Sequence, residues 1–493
     1  MIICALAPAL RVLRLEMRRT TWANGRSMPR AFLLVLLCLG CHAPAQVHPA
    51  VPAPVAVSPA PPVPVSPFSR IETELSALRG LPFAHPVPSS TQSRADFRAW
   101  VHAELGRDLP PAKNQGLSHA YADLGLVPQG FDLTTTLEEA LTTQVAAYYD
   151  PHSKGFRVVG ETRGKAVDEM IVAHELTHAL DDQHFDLETF DGGEGNRLGL
   201  SEDERTARQF VTEGEATFMM LAWRSASGEG AGKRLGPLGV AGVRMAVTLL
   251  GAADPIELLA AARGSRSVAE LSPEDRRELD QMTKLPPLVS MPLIEPYFKG
   301  AALISEVWGR GGWDAVSDLY RHPPASTEQI LHPREKFFGR RDPPILMRLP
   351  VARPALGEAP MATDVLGELG VRAYFKTWDF PSGEAAAAGW GGDRLWVWKR
   401  AGQFLVLWAT RWDSESDAKR FLAAYLDTLE PRFPEARIER AGQDAWRLLR
   451  PEGDLLYSER RGRDVDVIVG ARPEEISDLR AVLLAVERRA AAD

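Results

Sequence analysis

The sequence predicts an α+β fold, with a mainly helical body that carries a small sheet and, after it, a separate C-terminal α+β domain. Three observations point there. Segments such as ADFRAWVHAEL, VDEMIVAHELTHALDDQHF and ERTARQFVTEGEATFMMLAWRSA lack Pro and read as helices. In QVAAYYDPHSKGFRVVGE, apolar runs are broken by Asp150-Pro151 and Lys154-Gly155, the pattern of two short strands around a turn. From about Pro350 the character changes, and GWGGDRLWVWKRAGQFLVLWATRWDS alternates apolar positions around Ala401-Gly402, a hairpin signal.

Composition narrows the class. The chain has 493 residues, 45% hydrophobic and 25% charged, enough for two or three globular domains. A balance of 57 basic against 65 acidic residues, net −8, argues against a nucleic-acid partner. The three cysteines, Cys4, Cys38 and Cys41, all fall in the first 41 residues, so no internal disulfide is expected in the body.

The N-terminal end reads as a targeting segment. Arg30 precedes AFLLVLLCLGC, a short apolar run ending at Gly40-Cys41 and too short to span a bilayer as a stable helix. Residues 1–41 resemble a bacterial lipoprotein signal, which implies an exported protein whose Cys41 carries a lipid anchor at the cell envelope. Cys38 departs from the Leu usual three positions before the lipidated Cys, and Met28 makes a more typical start than Met1. Secretion after an ordinary signal cut near Ala43 or Ala45 is the alternative. Residues 42–68 are mostly Pro, Ala and Val without charge, an extended spacer that would hold a body away from a surface. Residues 69–348 and 349–493 are the two expected domains.

Within the first domain, residues 69–143 mix helical segments with Pro- and Gly-bearing turns and carry no evident chemistry. The next strand, Phe156 to Gly160, precedes a buried helix and is the candidate sheet edge for pairing with an extended peptide. That helix holds His174-Glu175-Leu176-Thr177-His178. Four residues apart on a helix, the two imidazoles share a face, a spacing that suits tetrahedral zinc. Glu175 follows the first His, where a carboxylate lies beside the open coordination position and serves as general base. The bland alternative is two half-buried helix histidines.

A third ligand is needed. Glu213, on the second helical segment, completes a His₂Glu set with one open position. Its neighbour Gly214 is expected to let that helix approach the first closely. His184 falls where the pattern H-E-x-x-H-x-x-G-x-x-H wants its third His, although Asp181 occupies the turn Gly position. Glu215 is the other alternative, two residues on and therefore on a different face. Asp181 or Asp182 are candidates for orienting a ligand imidazole.

His174-Glu175-x-x-His178 followed by Glu213-Gly214-x-Ala216 resembles the gluzincin metallopeptidases. Thr212 stands where that family often has Asn, and the gap between the two helices is longer. Glu295-Pro296-Tyr297-Phe298-Lys299-Gly300-Ala301 is similar to the P-Y-x-K-G segment of the aminopeptidase and leukotriene-hydrolase branch. The resemblance implies a zincin-like catalytic domain, one Zn²⁺ per chain, a peptide or protein substrate, and for Tyr297 a hydroxyl that donates to the oxyanion. The branch's G-x-M-E-N motif is absent from the sequence, so aminopeptidase specificity does not carry over.

Farther on, GAALISEVWGRGGWDAVSDLYRHPPASTEQILHPREKF reads as a helix, a Gly-Gly break, a second helix and a polar segment. His332 in that segment is a candidate for oxyanion or substrate binding, with capping as the plain alternative. The C-terminal third shows strands and amphipathic helices without any chemical motif, and reads as a support or substrate-recruiting module. The expectation is therefore a zinc-dependent peptidase of the cell envelope. The alternative is a non-catalytic, zinc-stabilised envelope lipoprotein that acts as a binding scaffold. Oligomeric state is not legible in the sequence.

Overall fold

The computed structural model describes residues 66–491 apart from 161–167, 227–236, 256, 259–272, 351–355, 358, 401 and 452. The expected signal segment, Cys41 and the spacer up to residue 65 lie outside the described residues. No helix among the described residues is long and apolar enough to cross a membrane. The fold is a mixed α+β arrangement with a sheet-rich C-terminal region.

The chain opens with α1 (Ser69–Arg79), β1 (Ser89–Gln92), α2 (Arg94–Asp108), α3 (Pro111–Leu124) and α4 (Leu133–Gln144). Local chemistry sets several of these starts. Ser93 and Asp132 accept from the backbone N–H groups of Asp96 and Thr135, which satisfies donors that a first helical turn leaves unpaired. The two strands read around the Asp150 turn are β2 (Ala147–Asp150) and β3 (Gly155–Val159). Their sheet has the order β1-β3-β2, with β1 parallel and β2 antiparallel to β3. Phe156 to Gly160 is therefore no edge: both sides of β3 are paired. The polar run Ser89–Gln92 lacks the apolar alternation by which a strand announces itself, so the sequence hid its neighbour.

Helix α5 (Glu169–Phe185) follows, capped by Asp168 and stopped at Asp186, whose φ of +52° is left-handed. Its apolar residues Ile171, Val172 and Leu176 pack with Tyr149, Phe156 and Val158 of the sheet and with Ile71 and Leu75 of α1. Burial of such side chains stabilises by roughly 1.5–3 kcal/mol each, which fixes α5 on the sheet while its other face carries polar groups. Next come α6 (Glu202–Ala226), α7 (Pro237–Ala252) and α8 (Pro287–Glu295). A single π turn (Pro296–Gly300) then joins α8 to α9 (Ala301–Arg321). The predicted Gly-Gly break is a kink inside α9, with Gly312 at φ +65°. Phe210, Val211 and Phe218 of α6 share one core with Leu303, Ile304 and Val307 of α9.

After α10 (Thr327–Leu331) and β4 (Ile345–Arg348), the chain builds a seven-stranded antiparallel sheet in the order β5-β6-β7-β11-β10-β9-β8. Its strands are β5 (Ala362–Asp364), β6 (Trp390–Arg400), β7 (Gln403–Trp412), β8 (Ile438–Arg440), β9 (Ala445–Leu449), β10 (Leu455–Arg461) and β11 (Asp464–Ala471). The predicted hairpin is β6–β7, in which Arg400 pairs with Gln403. Period-two alternation divides β6 between faces. Leu395 and Val397 pack under α11 (Gly367–Thr377) and α12 (Glu415–Arg432), while Trp396 and Trp398 pack toward α13 (Ile476–Leu484). The first face also takes Leu117, Ala120, Tyr121 and Leu124 of α3 into its core. The sheet-rich region is thus joined to the helical body by continuous apolar packing.

Candidate metal centre

Helical spacing on α5 and one residue of α6 bring three ligating side chains together. His174 Nε2 lies 3.1 Å from Glu213 Oε2, His178 Nε2 lies 3.6 Å from the same oxygen, and the two Nε2 atoms are 3.2 Å apart. All three residues are fully buried. Ligand atoms held at about 2.0–2.1 Å around a tetrahedral ion sit about 3.3 Å from one another. The observed triangle has those dimensions, with two imidazoles and one carboxylate as donors. It is the one group of this kind among the described residues, and it could hold a metal ion. Glu213 Oε1 makes no hydrogen bond among the described residues. Burial alone would raise the Glu213 carboxyl, but hydrogen bonds from His174 and His178 bring it down to about 2. Burial also lowers His178, which favours the neutral, ligating imidazole.

Glu175 is fully buried beside the triangle. Its Oε2 accepts the backbone N–H of Tyr149 on β2 at 2.9 Å, and its Oε1 makes no hydrogen bond among the described residues. Burial, and then the charge of Glu213, push this carboxyl well above the ordinary carboxylate range. Sequence reasoning had no means to find the Tyr149 contact, because the anchoring group is backbone.

Tyr297 stands on the π turn, its ring stacked on His174 at 5.7 Å between centroids and 23° between planes. Such turns insert one extra residue and re-aim a side chain. The turn is seated by a glycine pair. A Cβ on Gly214 would lie 2.3 Å from the carbonyl carbon of Gly300, and one on Gly300 would lie 2.3 Å from the carbonyl oxygen of Phe210. Gly214 therefore lets α6 meet the tyrosine-bearing turn, a different neighbour from the α5 contact expected.

The alternative ligands are engaged elsewhere. Glu215 Oε1 accepts from Arg79 Nε, and its Oε2 lies 3.0 Å from the Tyr320 hydroxyl. His184 is exposed, with Nε2 2.8 Å from the Pro82 carbonyl oxygen. His332 Nε2 lies 2.9 Å from Glu368 Oε1, and Arg372 pairs with the same carboxylate. Neither Asp181 nor Asp182 is hydrogen-bonded to a ligand imidazole among the described residues. Asp181 Oδ2 is 3.1 Å from the Tyr320 hydroxyl, whereas Asp182 accepts from Tyr149 Oη, Lys154 Nζ and the Leu187 N–H. Both imidazole Nδ1 atoms are buried and make no hydrogen bond among the described residues, where the orienting contact usual for metal-bound histidines would stand.

Arg79, Glu215, Asp181 and Tyr320 form a second buried charge network next to the centre. Arg79 pairs with Glu215, both carboxylates face the Tyr320 hydroxyl, and burial with the Glu215 charge pushes Asp181 well above its ordinary value. The segment Ser326 to His332 ties the centre's second helix to the sheet-rich region. Thr327 donates its backbone N–H and its hydroxyl to Asp203 of α6, and the Leu369 N–H of α11 donates to the Thr327 hydroxyl.

Comparison with known proteins bears on a different part of the chain. Residues 355–480 match a family model described as "Domain of unknown function (DUF8575)". The DUF8575 segment holds the seven-stranded sheet, from β5 to β11, and leaves His174, His178 and Glu213 outside it. No curated protein and no solved structure matches the chain.

Proposed function

We propose that this chain is a zinc-dependent peptidase, with His174, His178 and Glu213 as the metal ligands and Glu175 as general base. The observation that carries the reading is the triangle of ligand atoms, 3.1, 3.2 and 3.6 Å on its edges, with an unengaged carboxylate oxygen of Glu175 beside it. Zinc, when bound there, supplies Lewis acidity toward a carbonyl oxygen and makes water more acidic.

The chain's own groups account for the remainder. Tyr149 holds one oxygen of Glu175, which leaves the other to take a proton from the attacking water and to pass it to the leaving amine. Tyr297, fixed against His174, donates its hydroxyl to the oxyanion of the tetrahedral species, a contribution of about 10²-fold or more in comparable enzymes. Export and an anchor at Cys41 belong to the same reading, and place the activity at the cell envelope.

A second reading has one observation in its favour. The ligands and Glu175 are fully buried, as in a purely structural site, and the chain would then be a zinc-stabilised scaffold. The two readings separate in one experiment. The purified protein should contain one zinc per chain and hydrolyse an unstructured protein such as casein, with Glu175→Gln keeping the zinc and losing at least about 10³-fold in rate. Zinc retained with no cleavage by the unsubstituted protein favours the scaffold, and a purified protein that holds no zinc and whose thermal stability a chelator leaves unchanged removes both.

A further inference from the structure

We propose that the cavity between α6 and the C-terminal sheet is a second recognition site, which takes the aliphatic stem and cationic head of a lysine or arginine side chain in the substrate. The identity of the substrate as a polypeptide rests on the peptidase reading; the charge it selects rests on the cavity alone.

The cavity has a volume of about 300 Å³, at the lower end of ligand-binding sites. Most of its wall is apolar, including Leu109, Leu133, Leu137, Leu288 and Leu293. Its charged lining is unbalanced: five carboxylates, Asp108, Asp191, Glu202, Asp203 and Asp364, face two guanidinium groups, Arg205 and Arg208. Arg205 is matched by Asp108, Asp191 and Glu202, and Arg208 by Glu204. That leaves Asp203 and Asp364, at 3% and 7% exposure, without an ion pair among the described residues. Among the described residues Asp203 accepts from Thr327 alone, and Asp364 accepts the Tyr121 hydroxyl on Oδ2 while its Oδ1 makes no hydrogen bond.

A buried carboxylate without a counter-charge is costly, and a cation that enters relieves the cost. Burial accordingly holds Asp203 up at about 8 and Asp364 up at about 7. A bare metal ion is the poorer occupant, since neither carboxylate belongs to a group close enough to share one. An ammonium or guanidinium on an apolar stem matches both the acidic end and the leucine wall.

Position fixes the register. The wall includes Gln209 and Thr212 of α6, the latter immediately before Glu213, and extends back to Asp203. At 1.5 Å per residue, Asp203 lies about 15 Å along the helix from Glu213. This exceeds the reach of a side chain at the scissile bond and equals about four or five residues of extended peptide. The basic residue recognised therefore stands a few positions away from the bond cleaved.

Calorimetric titration of the full chain carrying Glu175→Gln, at pH 8, tests this with two probes, Nα-acetyl-lysine methylamide and its norleucine counterpart. The lysine probe should bind about tenfold or more tightly, and Asp364→Asn, which keeps an acceptor for Tyr121, should remove the preference. Equal affinity for the two probes in the protein with Asp364 intact overturns the proposal without any variant at the site. So does a preference that survives both Asp364→Asn and Asp203→Asn. Lysine binding in a protein that cleaves no peptide sustains the pocket and sinks the peptidase reading. Cleavage indifferent to Lys and Arg at every position does the reverse.

Discussion

Glu213 and Glu215 stand two positions apart on α6, and the 200° of helical rotation between them sends one to the histidines and the other to Arg79. Substitution should separate them. Glu213→Gln is expected to lose the bound zinc. Glu215→Gln should keep it, but at about 3–5 kcal/mol in stability, because Arg79 is left buried without its partner. Metal analysis and a denaturant titration read the two effects, and zinc lost from Glu215→Gln alone would reverse the assignment. At this scale the sequence revealed the pairing of His174 and His178, since the two share a helix and a spacing. The choice among Glu213, Glu215 and His184 stayed open there because it depends on how two helices meet. Arg79 gave no signal at all, lying 136 residues from Glu215 in the chain.

Between elements, the decisive contact is the bare backbone crossing of Gly214 and Gly300. Gly214→Ala places a methyl group 2.3 Å from a carbonyl carbon, and backbone cannot rotate away as a side chain does. A loss of about 1–3 kcal/mol or more is expected, together with a fall in peptide hydrolysis as the π turn and Tyr297 shift. Urea unfolding and an activity assay on the same preparation check both, and a variant of unchanged stability would show that the turn yields freely. The E-G-x-A and Y-F-K-G stretches were each visible in the sequence, but their mutual contact was not, because nothing local links residues 214 and 300. The central place of β3 was missed for a related reason, its partner β1 being a polar strand.

Over the whole molecule, the alternation in β6 and β7 made the sheet-rich third readable, whereas the insertion of α3 into its core was not, since α3 is buried on several sides in its second half and shows no apolar stripe that would name a partner. The buried acids of this junction set a pH dependence. Burial holds Asp203 at about 8 and Glu328 at about 9, against roughly 4 in an unfolded chain. Between pH 7 and 9 the folded chain thus binds more protons than the unfolded one, and stability falls as pH rises, by up to about 1.4 kcal/mol per pH unit for each proton retained. The zinc-free protein should melt at a lower temperature at pH 9 than at pH 7, with a shallower dependence in Asp203→Asn; circular dichroism melts that move the other way would contradict it. A mechanical corollary follows from the glycine crossing. Backbones that touch with no side chains between them leave no slack for one to slide along the other, so the spacing from Glu213 on α6 to Tyr297 on the π turn is set by main chain alone.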